Sequence, residues 1–279
     1  MGRRLGDRRA LLVAVAVLGL LALYAIAVPW LSGVDDRVTD FASAREHPST
    51  THWFGTDSAG RDLFVRVASA MRTSLLIAAA CAVLATVTGG LVGTIAGVWG
   101  GWVDRVVMRS TDAVNALPHL LLGIVIVAMF RGSVAAVVLS IALTHWTQVA
   151  RIVRSEILVL RGRRYIDAAI VAGASRMHVI GRHVLPAVLP QVVIAVVLLL
   201  PHTIWHESTL SFLGFGLPPH EPSLGTLLAE ARSSLLLGGW WTLAFPASVL
   251  VAATVAVAVA GSALRASVAA PIPVEPRLG

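Results

Sequence analysis

Six long apolar runs, near residues 11–31, 74–98, 115–131, 133–150, 187–206 and 243–264, set the terms on which this chain can fold. About 20 apolar residues in a helix cross the hydrocarbon core of a bilayer, and several runs approach that length. Inside lipid the backbone has no water to bond, so each run is expected as a helix. The chain is 57% hydrophobic and 13% charged, where a soluble domain carries about a quarter charged residues. The expected fold class is therefore all-α, a polytopic membrane protein with six transmembrane helices. Arg131-Gly132-Ser133 joins the third and fourth runs as a tight helical hairpin. Arg3, Arg4, Arg8 and Arg9 precede the first run, which ends at Pro29-Trp30 without a small-residue cleavage site, so it reads as a retained signal anchor.

All 22 basic residues are Arg, and the formal charge is +7. With apolar runs this long, an anionic inner leaflet explains the basic balance better than nucleic acid does. The absence of Lys excludes a phosphate-binding loop ending in Gly-Lys-Ser/Thr, so the chain does not bind ATP by that route. Cys81 is alone, which excludes an intrachain disulfide and any cysteine-based metal motif. Arg distribution sets the orientation. With the N-terminus inside, inner segments carry fifteen Arg against six acids, and outer segments seven Arg against nine acids. Six spans return the C-terminus to the inside. Two outer segments are long, about 32–72 and 207–242. Gly55-Thr56-Asp57 and Gly60-Arg61-Asp62 suit turns in the first, and Thr73 or Ser74 is expected to cap the second span. Gly214, Gly216, Pro218, Pro219 and Pro222 prevent the second from being one helix, and Leu210, Phe212, Leu213 and Phe215 are expected to hold part of it at the membrane surface.

On the Arg-rich side lies Asp167–Pro186, DAAIVAGASRMHVIGRHVLP. It reads as two short helices broken at Gly173, since glycine enters the left-handed conformation at little steric cost. Ser175 stands where an N-cap should be. A helix–glycine–helix element on the basic side of a membrane suits docking onto a soluble partner.

The chain resembles the inner-membrane permeases of the dipeptide/oligopeptide/nickel family of ATP-binding-cassette importers, specifically the second of their two permease subunits. The resemblance covers nearly the whole chain, through HWFGTDSAGRDLFVRV from His52, GVWGGWVDRVVMRSTDAV from Gly97, ALTHWTQVARIVRSEIL from Ala142, the Asp167–Pro186 segment and STLSFLGFGLPP from Ser208. Asp167, Ala168, Ala169, Gly173, Leu185 and Pro186 match the family signature; Asp167 replaces its usual Glu, and His183 its usual Ile. The resemblance implies a type I importer permease (MetI-like) fold and a non-catalytic subunit with no bound cofactor. Residues 1–72 would hold the tail, first helix and outer segment, 73–265 the permease domain with coupling helices at 160–185, and 266–279 a disordered cytoplasmic tail from about Pro271. Implied partners are a homologous permease, two ATP-binding subunits that hydrolyse ATP and bind at the coupling segment and its equivalent in that second permease, and an extracytoplasmic substrate-binding protein. The expected location is the inner membrane with both termini cytoplasmic, and the expected cargo is peptides, or nickel or metal chelates.

Polar groups in the spans are costly and mark function. His202 and His206 are four apart, on one face of a helix kinked by Pro201. Paired imidazoles near a carboxylate suit a borderline metal such as nickel, so His202 and His206 are expected to line the substrate path and to touch a metal or chelate. Glu207 points about 100° away around the helix and is the weaker path residue. The bland reading of the pair is hydrogen bonding to water and neighbouring spans at the interface. His206-Glu207 is not a zinc-protease motif, because Leu210 stands where the second His is needed. His145 and Trp146 are expected as an interface anchor, Arg151 and Arg154 as an inner-leaflet anchor, Asp104 with Arg105 and Asp112 with Arg109 as local pairs, and His178 and His183 as solvated. Gly89, Gly90, Gly93 and Gly97 offer small faces for helix packing. The different-class alternative is a proton-coupled secondary transporter, which needs buried acids within the spans; here the acids fall in loops, with Glu207 at a span's end.

Overall fold

A computed structural model describes residues 2–218 and 220–268. Among the described residues ten α-helices follow in order: α1 Gly2–Leu31, α2 Leu63–Trp99, α3 Gly101–Ala116, α4 His119–Met129, α5 Val134–Arg161, α6 Arg164–Val171, α7 Arg176–Val179, α8 Leu185–Phe212, α9 Leu224–Leu235 and α10 Trp241–Val268. A π-helical turn, Ile180–Val184, joins α7 to α8. Among the described residues the one extended pairing is a bridge between Thr56 and Asp62. The expected tail from Pro271, and Pro219, lie outside the described residues, while Ala266–Val268 continue α10.

Among the described residues five helical stretches are long and apolar enough to cross a membrane: Arg8–Leu31, Leu63–Trp99, Val134–Arg161, Met177–Phe212 and Trp241–Ala266. The sixth exists only as α3 and α4 together, bent by 85° at Leu117-Pro118. The continuous span expected at 115–131 is thus corrected. Proline disfavours a helical conformation in the residue before it, and Leu117 is extended, with φ −86° and ψ 138°. The hairpin that follows is present: Gly132 is left-handed, and the Ser133 hydroxyl accepts from the Ala136 N–H at 3.2 Å to start α5.

Residue 74 does not start the second span. Asp62 caps α2, accepting from the Val65 N–H at 3.1 Å, so the helix begins at Leu63. Thr73 donates instead to the Ser69 carbonyl, and Ser74 to Glu207. From Leu63 to Trp99 α2 spans about 55 Å and forms the axis of the bundle. Its lower half carries a seam of small residues against α5. A Cβ on Gly89 or Gly93 would run into the α5 backbone at Trp146 and Ala150, and one on Gly97 into Ile157. The backbones therefore touch, as small residues allow in membranes. Gly90 faces Val192 of α8 at ordinary contact distance. The face turned away from these seams is apolar and exposed, with Leu76, Val83, Val87 and Leu91 on α2 and Leu12, Leu20 and Leu23 on α1. α1 packs against α10 and α2, and its Tyr24 hydroxyl donates to the Phe64 carbonyl at 2.6 Å within a cluster that includes Phe54, stacked on Phe245.

Candidate functional site

The Arg-rich end of the bundle carries the broken helix. α6 ends where Gly173 turns left-handed at φ +86°, and the Ala174 N–H closes the turn on the Ala169 carbonyl at 3.0 Å. The Ser175 hydroxyl then accepts from the His178 N–H at 3.2 Å, the N-cap expected of it. The element has two faces. Asp167, Ala168, Gly173, Leu185 and Pro186 are exposed, and Ala169 is half-buried. Ile166, Val179 and Val184 are buried with Ile157 of α5 in one apolar cluster. These three aliphatic anchors are each worth roughly 1.5–3 kcal/mol of burial. Below them a cavity of about 260 Å³ opens between the element and the ends of α2 and α5, with Val98, Trp99 and Arg161 in its wall. The Arg161 guanidinium donates to the Gly97 carbonyl at 3.0 Å and ties the α5 end to α2. His183 is half-buried beside Tyr165 rather than solvated, while His178 is exposed.

α3 climbs along α5 in the opposite direction. Arg154 pairs with Asp104, Arg151 with Asp112 at 2.7 Å, and the Thr147 hydroxyl donates to Asn115 at 2.8 Å. These cross-helix pairs replace the local pairs expected with Arg105 and Arg109. They also carry α5 past residue 150 to Arg161, and so move His145 from a span's end to its middle. His145 is 3% exposed, about 17 Å from the start of α5 at Val134. It is not an interface anchor.

Around His145 the fold gathers imidazoles from three helices. The His206 ring centroid lies 4.8 Å away and that of His119, the first residue of α4, 5.8 Å away. His202 sits one turn below His206 and is exposed, while His206 is half-buried. His145 Nδ1 lies 2.9 Å from both the Ile141 carbonyl and the Thr144 hydroxyl. Donation from Nδ1 to that carbonyl leaves Nε2 as the free nitrogen. Among the described residues no group of three or more His, Cys, Asp or Glu is placed to hold a metal ion. The pairing of His202 with His206 was legible from spacing; His119 and His145 were not, because nothing local in sequence brings them to α8.

Glu207 faces the other way. α8 runs on to Phe212, so this residue is inside the helix and fully buried, not at its end. Its carboxylate accepts from the hydroxyls of Ser74 at 2.9 Å, Ser211 at 2.8 Å and Ser208 at 3.3 Å. The Ser74 oxygen in turn accepts from the Leu224 N–H at 3.1 Å, in the first turn of α9. Glu207 thus pins α8 to α2 and α9. Leu210 is likewise in the core, beside Gly123, and not at the membrane surface. Phe212 lies under the Arg232 guanidinium, 4.0 Å from its ring centre.

At the end opposite the broken helix, four charges lock the segment before α2 to α9. Arg66 is 2% exposed and bonds Asp57 at 2.5 Å and Glu230 at 2.7 Å; Arg61 bonds the same two acids at 2.7 and 3.2 Å. Trp241 donates to the Thr56 carbonyl at 3.1 Å.

Comparison with known proteins places this architecture. Residues 89–270 match the family described as binding-protein-dependent transport system inner membrane component. The chain belongs to that family. This permease is 39% identical to the oligopeptide transport system permease protein OppC of Escherichia coli (strain K12) over 251 residues, covering 89% of this chain and 83% of that protein. It is 32% identical to OppC of Bacillus subtilis (strain 168) over 262 residues, covering 94% and 86% respectively. It is accordingly a multi-pass inner-membrane component of an importer of the ATP-binding-cassette type, with the all-helical fold expected.

Proposed function

We propose that this permease pairs with a second, homologous permease and that peptides pass between them, driven by two ATPase subunits, one docked on Asp167–Pro186 and the other on the equivalent segment of the second permease. The observation that carries the reading is the two-faced broken helix. Its signature residues other than the half-buried Ala169 are exposed for a partner, while Ile166, Val179 and Val184 anchor it to α5 and α2. A push on such a foot moves both long helices as a unit, which supplies the differential contact that two-state transmission requires. The binding protein docks at the opposite end, where the charge lock holds the 32–62 segment against α9. In this orientation both termini are cytoplasmic, and the chain itself binds no cofactor. Peptide as cargo rests on the relatives' names; nickel or a metal chelate, touching His202 and His206, is the competing cargo.

One observation favours a second reading, a proton-coupled secondary transporter: Glu207 is a buried carboxylate within a span. Three hydroxyls already satisfy it, which suits a structural pin better than a relay. Uptake of labelled peptide into vesicles separates the two. The importer reading predicts uptake that needs ATP and the binding protein and stops with vanadate. Vanadate-resistant uptake that collapses with the proton gradient overturns it, and uptake of nickel but not peptide overturns the cargo.

A further inference from the structure

We infer that the strip of α5 carrying Gln148, Arg151 and Ser155, with His202 of α8 beside it, is one wall of a water-filled vestibule that opens toward the broken helix. The facing wall is the second permease, so the inference rests on the paired-permease reading above. Depth comes from the seam between α2 and α5. Gly89 abuts the Trp146 carbonyl and Gly93 the Ala150 carbonyl, so Gln148, midway between, is level with Leu91. Leu91 is eight residues, about 12 Å, along α2 from the exposed Trp99. Trp99 and Trp102, on either side of the turn into α3, set the bilayer boundary, because indole rings settle there. Gln148 is therefore near the middle of the hydrocarbon layer.

At that depth the exposed faces differ. From Leu76 to Ile95 every exposed residue of α2 is Leu, Ala, Val or Ile, and the exposed residues of α1 from Leu12 to Trp30 are likewise apolar. Such faces suit lipid. On α5 the exposed residues from Gln148 to Ser155 are Gln148, Arg151, Ile152 and Ser155, and the three polar ones share an arc of about 60°. Among the described residues Gln148 has no hydrogen-bond partner. Arg151 and Asp112 form an ion pair whose side chains are 47% and 56% exposed. His202 is exposed one turn below His206, which meets His145, and so shares the depth of Gln148, just below His145 on α5. Hydrocarbon offers none of these groups a hydrogen bond, whereas water satisfies them all. The strip also has a closed end. Above Gln148, Thr144, His145 and Ile141 are buried where α4 and α8 cover α5. Toward the broken helix it stays exposed through Ser155 to Val159. Water entering from that end reaches Gln148 and stops beneath the imidazoles.

The test uses the whole transporter in vesicles without nucleotide, in a Cys81→Ala background carrying Gln148→Cys, Ser155→Cys or Leu91→Cys. The probe is a charged, impermeant methanethiosulfonate. Thiols react as thiolates, which form in water and not in hydrocarbon. Leu91→Cys is the matched control, exposed at the same depth on the apolar face. In inverted vesicles Gln148→Cys and Ser155→Cys should react at least about tenfold faster than Leu91→Cys, and in right-side-out vesicles neither should react. Equal rates at Gln148→Cys and Leu91→Cys, or reaction from the other side only, overturn the vestibule. If Gln148→Cys fails to assemble, Ser155→Cys carries the same comparison. A benzophenone attached at Gln148→Cys should label the second permease on illumination; label confined to this chain and lipid overturns the facing wall. ATP-driven uptake of alanine tripeptide by wild-type transporter is read alongside. If uptake persists while accessibility fails, only the vestibule falls. If both fail, the permease reading falls too.

Discussion

Replacing Ile166 with Ala should disconnect ATP hydrolysis from transport. Ile166 is 3% exposed and is one of three aliphatic side chains that seat the broken helix on α5. Truncating a buried Ile to Ala costs about 2–5 kcal/mol. The seat as a whole is worth only the sum of a few such burials, each roughly 1.5–3 kcal/mol. At 1.4 kcal/mol per decade, the loss raises the undocked population by about 30- to 3,000-fold. The perturbation falls on a small element beside an existing cavity, not on the bundle, so the variant should insert and assemble. In reconstituted transporter, ATP consumed per peptide imported should rise several-fold, because the ATPases turn over without moving α2 and α5. Ile166→Val, which costs about 0.5–1.5 kcal/mol, should give a small fraction of the effect. An unchanged ratio in the Ala variant, with normal assembly, would refute the idea that this seat transmits force.

The packing seams make three further predictions. Gly93→Leu should abolish stable protein in detergent, since its side chain meets the α5 backbone, whereas Gly90→Ala, with Val192 at 3.9 Å, should be tolerated or slightly stabilising; thermal unfolding of the purified subunit reads both. Glu207→Ala strands the hydroxyls of Ser74 and Ser211 and should lower stability by about 1–3 kcal/mol per unpaired group, while Glu207→Gln should recover most of it in the same melt. Arg66→Met leaves Asp57 with one of its two guanidinium partners and should cost about 3 kcal/mol, loosening the 32–62 segment, which limited proteolysis will report.

Much of the fold was legible because span length and the Gly173–Ser175 break are local properties. The bend between α3 and α4 was also written in the chain, at Pro118, but a hydropathy run across it masked the proline. What escaped depends on residues far apart in sequence. Arg151 and Arg154 look like the end of a span until Asp112 and Asp104 come alongside, 39 and 50 residues away. Glu207 looks terminal until Ser74, 133 residues away, turns out to bond it. The same holds for Arg66 and Glu230, and for the meeting of His119, His145 and His206. Single residues announced helix ends; only packing announced the polar site.

The exposed face of the broken helix should meet an ATPase on the cytoplasmic side. The direct measurement is Ala168→Cys in a Cys81→Ala background, in membranes that hold the whole transporter. Ala168 is exposed, and Cys81 is buried in α2. The introduced thiol should react with an impermeant maleimide only in inverted vesicles. A short bifunctional reagent should then join it to an ATP-hydrolysing subunit, with a yield that changes when ATP is trapped by vanadate. Reaction in right-side-out vesicles, or a crosslink yield that never includes such a subunit, would contradict the account.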